Sequence, residues 1–148
     1  MASGGAAGPV KDIDAAEAWV LLGQDRNSQL IDVRTRAELT FVGAPVLESI
    51  GKRTIFVEWQ SYPDQSMNPG FVQACRSELQ AAGADERSSL LFICRSGARS
   101  LSAARAMQQH GYQACHNVAH GFEGPVDATG HRGATAGLKK AGLPWAQG

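Results

Sequence analysis

An α/β domain built on a parallel sheet with helices on both faces is what this sequence predicts. Three observations carry that expectation. Short β-rich runs alternate with helical stretches, one of the runs is apolar throughout, and 148 residues suit one domain with a real core. Hydrophobic residues make up 43% and charged residues 19%, the balance of an ordinary globular chain. Neither an internal repeat nor a low-complexity linker interrupts it. The expected division is a flexible N-terminus over 1–10 and one domain over 11–148, with a C-terminal extension from about 121.

Taken in order, residues 1–9 are mostly Gly, Ala and Ser. They lack the basic start and apolar block of a signal peptide. Asp14 with Glu17 forms a capping pair, predicting a helix over 15–22 that ends near Gly23. Leu30-Ile31-Asp32-Val33 and Thr54-Ile55-Phe56-Val57 read as strands. Asn68-Pro69 reads as an N-cap and first helical residue, and Phe71, Val72, Cys75 and Leu79 then share a face until Gly83. Leu90-Leu91-Phe92-Ile93 is continuously apolar, as a strand covered on both faces should be. A helix over 100–110 stops at Gly111, and 114–119 is the last strand. The Gly-rich stretch from 121 holds a short helix over 134–141 and Trp145, expected to dock on the body.

Charge narrows the function. Fourteen basic residues balance fourteen acidic ones, so no broad attraction to nucleic acid or anionic membrane follows. No apolar run reaches membrane-span length. Three irregularly spaced cysteines argue against a disulfide framework and for a reducing cytoplasm.

In open parallel sheets, sites lie beyond the carboxyl ends of the strands. The exits after Val33, Val57 and Ile93 therefore matter most. The last leads into Cys94-Arg95-Ser96-Gly97-Ala98-Arg99-Ser100 at the start of a helix. A thiol becomes nucleophilic as thiolate, which helix N-termini and nearby cations favour. This segment supplies both, through the helix start and the guanidiniums of Arg95 and Arg99. Ser96, Gly97 and Ala98 are small enough for the backbone to curl its N–H groups inward as an anion-binding nest. Cys94 is thus the candidate nucleophile, and Arg95, Ser96, Gly97, Ala98, Arg99 and Ser100 the substrate-binding cradle.

Cys94 to Ser100 resembles the active-site loop of the rhodanese family. Leu30-Ile31-Asp32-Val33-Arg34 with Glu38 is similar to the family's early strand and Asp-x-Arg segment. Asn117-Val118-Ala119-His120-Gly121-Phe122 is similar to its last strand, with His120 in place of a common Gly. The family's Gly-His-x-x-Gly-Ala stretch is reduced here to Val42-Gly43-Ala44-Pro45.

The resemblance implies a single rhodanese-like domain and a thiosulfate sulfurtransferase-like enzyme without a cofactor. Cys94 would take sulfane sulfur from a donor as a persulfide and pass it to a thiophilic acceptor. Arg95 and Arg99 would orient a sulfonate, and loop N–H groups would hold the persulfide. The expected partners are a small-molecule donor and acceptor, with no nucleic acid or membrane. The alternative is a persulfide carrier that delivers sulfur to a protein. Phosphatases and arsenate reductases of this fold have a longer Cys-x5-Arg loop, and the spacing here is Cys-x4-Arg. Mercaptopyruvate-type loops usually carry Gly after the Cys, so Arg95 leans toward a sulfonate-like donor.

Asp32 and Arg34 are candidates for either a pocket role or a loop brace. Cys75 and Cys115 read as packing residues. His116 and His120 would lie about 13 Å apart on a strand, too far to share a metal, so no metal site is expected. Trp59, Tyr62 and Met67 could line the substrate approach or pack on the body.

Overall fold

In the computed structural model, residues 10–60, 67–95, 97–119, 121 and 145–146 are described. The chain runs β1 (Lys11–Ile13), α1 (Ala15–Gln24), β2 (Gln29–Asp32), α2 (Arg36–Val42) and β3 (Ala44–Pro45). A 3₁₀ turn (Glu48–Ile50), β4 (Ile55–Phe56) and α3 (Phe71–Ala81) come next. They are followed by β5 (Ser89–Ile93), α4 (Ala98–Gln109), β6 (Ala114–Val118) and β7 (Trp145–Ala146). Five strands form one parallel sheet in the order β1-β6-β5-β2-β4, as an α/β fold requires.

Strand alternation divides the core. Ile31, Val33, Leu90 and Phe92 face α3 and α4, where they meet Cys75, Leu79, Ala103, Ala104 and Met107. Leu30, Leu91, Ile93 and Val118 face α1 and pack on Ala15, Ala18 and Leu22. Strand β5 lies between β2 and β6, which explains its unbroken apolar run. Its exit is therefore held between two neighbouring strand exits.

Several boundaries differ from expectation. Helix α1 passes through Gly23 to Gln24, its end closed by the Asp25 N–H donating to the Leu21 carbonyl at 2.9 Å. Helix α3 starts at Phe71, not Pro69. Asn68 instead accepts from the Gly70 N–H at 3.0 Å and donates to the Glu58 carbonyl at 2.9 Å, tying down the loop before the helix. Helix α4 begins at Ala98, two residues earlier than expected, with Gly97 as its N-cap. Strand β1, helix α2 and the small antiparallel pair of β3 with β7 were not anticipated. Trp145 takes part in that pair, its backbone opposite Pro45. Val10, placed in the N-terminal segment by the sequence, packs against the core. The expected 134–141 helix lies outside the described residues.

Candidate active site

Four buried apolar residues carry β5 to its end, and Cys94 is the next residue, itself only 1% exposed. Arg95 turns outward to solvent, and the chain folds back at Gly97, whose φ of 113° favours glycine. That turn starts α4 directly above the thiol. Cys94 Sγ accepts from the N–H of Gly97 at 3.1 Å and of Ser100 at 3.3 Å, and lies 3.3 Å from Ser100 Oγ. The first N–H groups of a helix have no intrahelical partner, and here sulfur occupies the place a capping oxygen usually takes. Gly97, the cap itself, has no side chain to compete. The positive end of α4 is thereby aimed at one sulfur atom.

Behind the sulfur, Ser100 and Asn117 are buried. Ser100 Oγ stands 2.5 Å from Asn117 Oδ1 and 3.2 Å from the Gly97 carbonyl. The Asn117 amide donates to Asp12 Oδ1 at 2.9 Å. No role was expected for Asp12 or Asn117. The only signal available was a polar residue, Asn117, within a mostly buried strand.

The other expected residues take distinct places. Ala98 opens α4, and Ser96 lies outside the described residues. Arg99 turns its guanidinium onto Glu38, with Nη1–Oε1 at 2.6 Å and Nη2–Oε2 at 2.8 Å. Glu38 Oε1 also accepts from the Thr35 N–H and hydroxyl, closing the capping box of α2. Burial pushes the Glu38 carboxyl up, but the bonds from Arg99 and Thr35 together outweigh it and hold the group below its ordinary value. Hydrogen bonding to Glu38 holds the Arg99 guanidinium above its own.

Asp32 and Arg34 form a solvent-free ion pair. Arg34 Nε donates to Oδ1 at 2.9 Å and Nη2 to Oδ2 at 2.7 Å, and Nη2 also reaches the Gly43 carbonyl at 2.8 Å. Both side chains are 0% exposed, so the pair has the geometry of a brace between the β2 exit and the end of α2. Burial, only partly offset by Arg34, pushes the Asp32 carboxyl up.

Gly121 closes the site from the β6 side. Its φ is 60°, and a Cβ there would run into the Cys94 carbonyl oxygen and come within 2.6 Å of the Arg95 carbonyl group. Strand β6 thus presses its exit turn flat onto the nucleophile's backbone.

Cys75 and Cys115 are buried, and burial pushes both thiols up to about 12. Trp59 packs edge-on against Phe71, with ring centroids 5.0 Å apart, while Met67 is exposed. Tyr62 and His120 lie outside the described residues. Among the described residues, no group of three or more His, Cys, Asp or Glu side chains could hold a metal. No helix there is long and apolar enough to cross a membrane.

Comparison with known proteins places this geometry in context. The family model of the STR4 middle domain matches residues 11–148. The crystal structure of Rv0390 from M. tuberculosis is 40% identical, with a TM-score of 0.85 over 95% of this chain and 100% of that one. RC0915 of Rickettsia conorii is 35% identical over 92% of this chain and 97% of its own length. A rhodanese-like domain protein from Staphylococcus aureus shares the fold at 18% identity, with a TM-score of 0.51 over 76% of this chain and 87% of that one.

Proposed function

This chain belongs to the STR4 middle-domain family and has a rhodanese-like fold, and from that premise we propose that it is a sulfurtransferase working through a persulfide on Cys94. One observation carries the reading. Two helix-start N–H groups and a hydroxyl converge on the sulfur of a cysteine placed at the exit of the sheet's buried strand.

Cys94 thiolate attacks the outer sulfur of a donor such as thiosulfate. A new S–S bond forms, the donor's S–S bond breaks, and sulfite departs with the electron pair. The Gly97 and Ser100 N–H groups stabilise the anionic sulfur throughout. A thiophilic acceptor then attacks the outer sulfur, and Cys94 returns to thiolate. Arg95 guides the sulfonate from solvent, and Arg99 adds positive potential from its place beside Glu38. No cofactor takes part. All three cysteines are free, which suits a reducing compartment such as the cytoplasm.

A second reading, delivery of sulfur to a protein acceptor, draws on the same site. Arg99 already spends both its Nη groups on a carboxylate, so Arg95 is left as the solvent-facing cation of the loop. That is a modest clamp for a doubly charged small donor. Cys-x4-Arg spacing does not favour phosphate or arsenate chemistry.

Incubation with thiosulfate should add the mass of one sulfur atom at Cys94, removable by cyanide. Cys94→Ser should lose both the adduct and turnover while keeping its cooperative melt. Sulfur on Cys115, or cleavage of phosphate esters without an adduct, would overturn the reading. An adduct discharged only by a protein acceptor would select the carrier.

A further inference from the structure

Ser100 Oγ has three acceptors within reach and one proton to give. The acceptors are Asn117 Oδ1 at 2.5 Å, the Gly97 carbonyl at 3.2 Å and Cys94 Sγ at 3.3 Å. Distance favours Asn117. An amide can present either its oxygen or its nitrogen to a neighbour, so what fixes the Asn117 oxygen toward Ser100 decides where that proton goes. Asp12 fixes it. Its carboxylate can only accept, and it takes the Asn117 Nδ2 proton at 2.9 Å. Strand register supports the contact, since Asp12 and Asn117 are direct partners in the β1–β6 ladder.

We propose that Asp12 and Asn117 are positioning residues that withhold the Ser100 hydroxyl proton from Cys94. Asp12 holds the Asn117 carbonyl inward, that carbonyl takes the Ser100 proton, and Ser100 turns its lone pairs toward the sulfur. A resting thiol can then donate its own proton to Ser100 Oγ. Once the sulfur becomes an anion, it must win the hydroxyl proton from Asn117. The chain thus moderates the two backbone N–H groups that favour the anion. The inference uses the Cys94 site proposed above but needs only that Cys94 be its reactive thiol, and not that it transfer sulfur.

Asp12 is exposed on an edge strand, so Asp12→Ala is a mild change to the fold. In that variant the Asn117 amide is free to flip and donate to Ser100, which releases the hydroxyl proton to the sulfur. Iodoacetamide alkylation of Cys94 at neutral pH should quicken by about threefold or more, the scale of one net hydrogen bond. Loss of the Asp12 charge alone could act in the same direction, so two further measurements separate the causes. A field effect fades in concentrated salt, whereas the rearranged bond persists. A double-mutant cycle with Ser100→Ala should abolish the Asp12→Ala effect, because the message passes through that hydroxyl. An unchanged alkylation rate in Asp12→Ala overturns the proposal. So does a gain that vanishes in salt or survives in the Ser100→Ala background. If the rates follow the expected pattern while thiosulfate leaves no adduct, the positioning role stands and the sulfurtransferase reading falls.

Discussion

Arg99 and Glu38, 61 positions apart in the chain, meet as a two-pronged ion pair with contacts of 2.6 and 2.8 Å. The pair ties the first turn of α4 to the first turn of α2. A cation of the nucleophile loop therefore enters the site with a neutralising partner.

Glu38→Gln keeps the shape of that partner and removes its charge. The positive potential of Arg99 near Cys94 is then uncompensated. Sulfur loading from thiosulfate should accelerate by about two- to fivefold at low ionic strength, the range of a partly exposed charge, and less in salt. Stopped loading followed by mass spectrometry checks this; equal rates at low salt would mean that Glu38 does not tune the site.

Acid should dissolve the same contact. Glu38 is held below its ordinary value of 4.5 in the folded chain, so its contribution is fully present above that pH. It disappears as pH falls through the lower folded value. Urea denaturation of wild type and Glu38→Gln should differ by about 1 kcal/mol near neutrality, since the pair is partly exposed. The two should converge below pH 4.5. A gap that persists in acid would assign the difference to packing.

Breaking the Asp32–Arg34 pair should cost stability before it costs chemistry. Asp32→Ala leaves a buried guanidinium without its carboxylate, a loss of about 3 kcal/mol or more. Denaturant unfolding reads the loss directly. A variant that unfolds like wild type yet loads sulfur slowly would instead assign the pair to the pocket.

Gly121→Ala combines a left-handed backbone with a methyl group driven into the Cys94 and Arg95 backbone. The nucleophile loop must shift to admit it. We expect sulfur loading to fall about tenfold or more while stability drops by only about 1–2 kcal/mol. Loading and melting measured on one preparation distinguish this from general unfolding, in which both would collapse together.

Thiol labelling should single out one cysteine. Burial pushes Cys75 and Cys115 up to about 12, so both remain protonated at pH 8. Native protein should take iodoacetamide at Cys94 first, and the other two should react only after denaturation. Peptide mapping that finds early label on Cys115 would mean that burial does not keep that thiol protonated.

The parts of this molecule legible in sequence are those written in adjacent residues. Strand β5, the Cys94 turn and the start of α4 occupy one continuous stretch, and apolar run, small residues and helix pattern all agree there. The α1 capping box was equally local. Helix α2 carried the same signal, Thr35 three residues before Glu38, yet it is only Arg36–Val42 and too short for a clear apolar period. Asp12 and Asn117 are 105 positions apart, and no local rule could pair them. The occupation of Arg99 by Glu38 was hidden for the same reason: an arginine in a cradle looks alike whether it faces an anion or a neighbour. Asn68-Pro69 misled because an Asn before Pro also suits a turn, and here the turn prevailed.

The pairing of β1 with β6 also sets a timetable. Residues 11–13 leave the ribosome before their partners at 116–118, which come about a hundred residues later. Until then the sheet edge at β5 is open, and closing so long a loop is slow. Cys94 and the first turn of α4 are contiguous and can form before that closure. The Asn117 carbonyl, the Asp12 anchor and the Gly121 clasp all arrive after it. A nascent chain therefore exposes its nucleophile in an unguarded interval, open to stray electrophiles and oxidants. That interval lasts until β6 is seated, so the docking of β6 is the step that shelters the thiol.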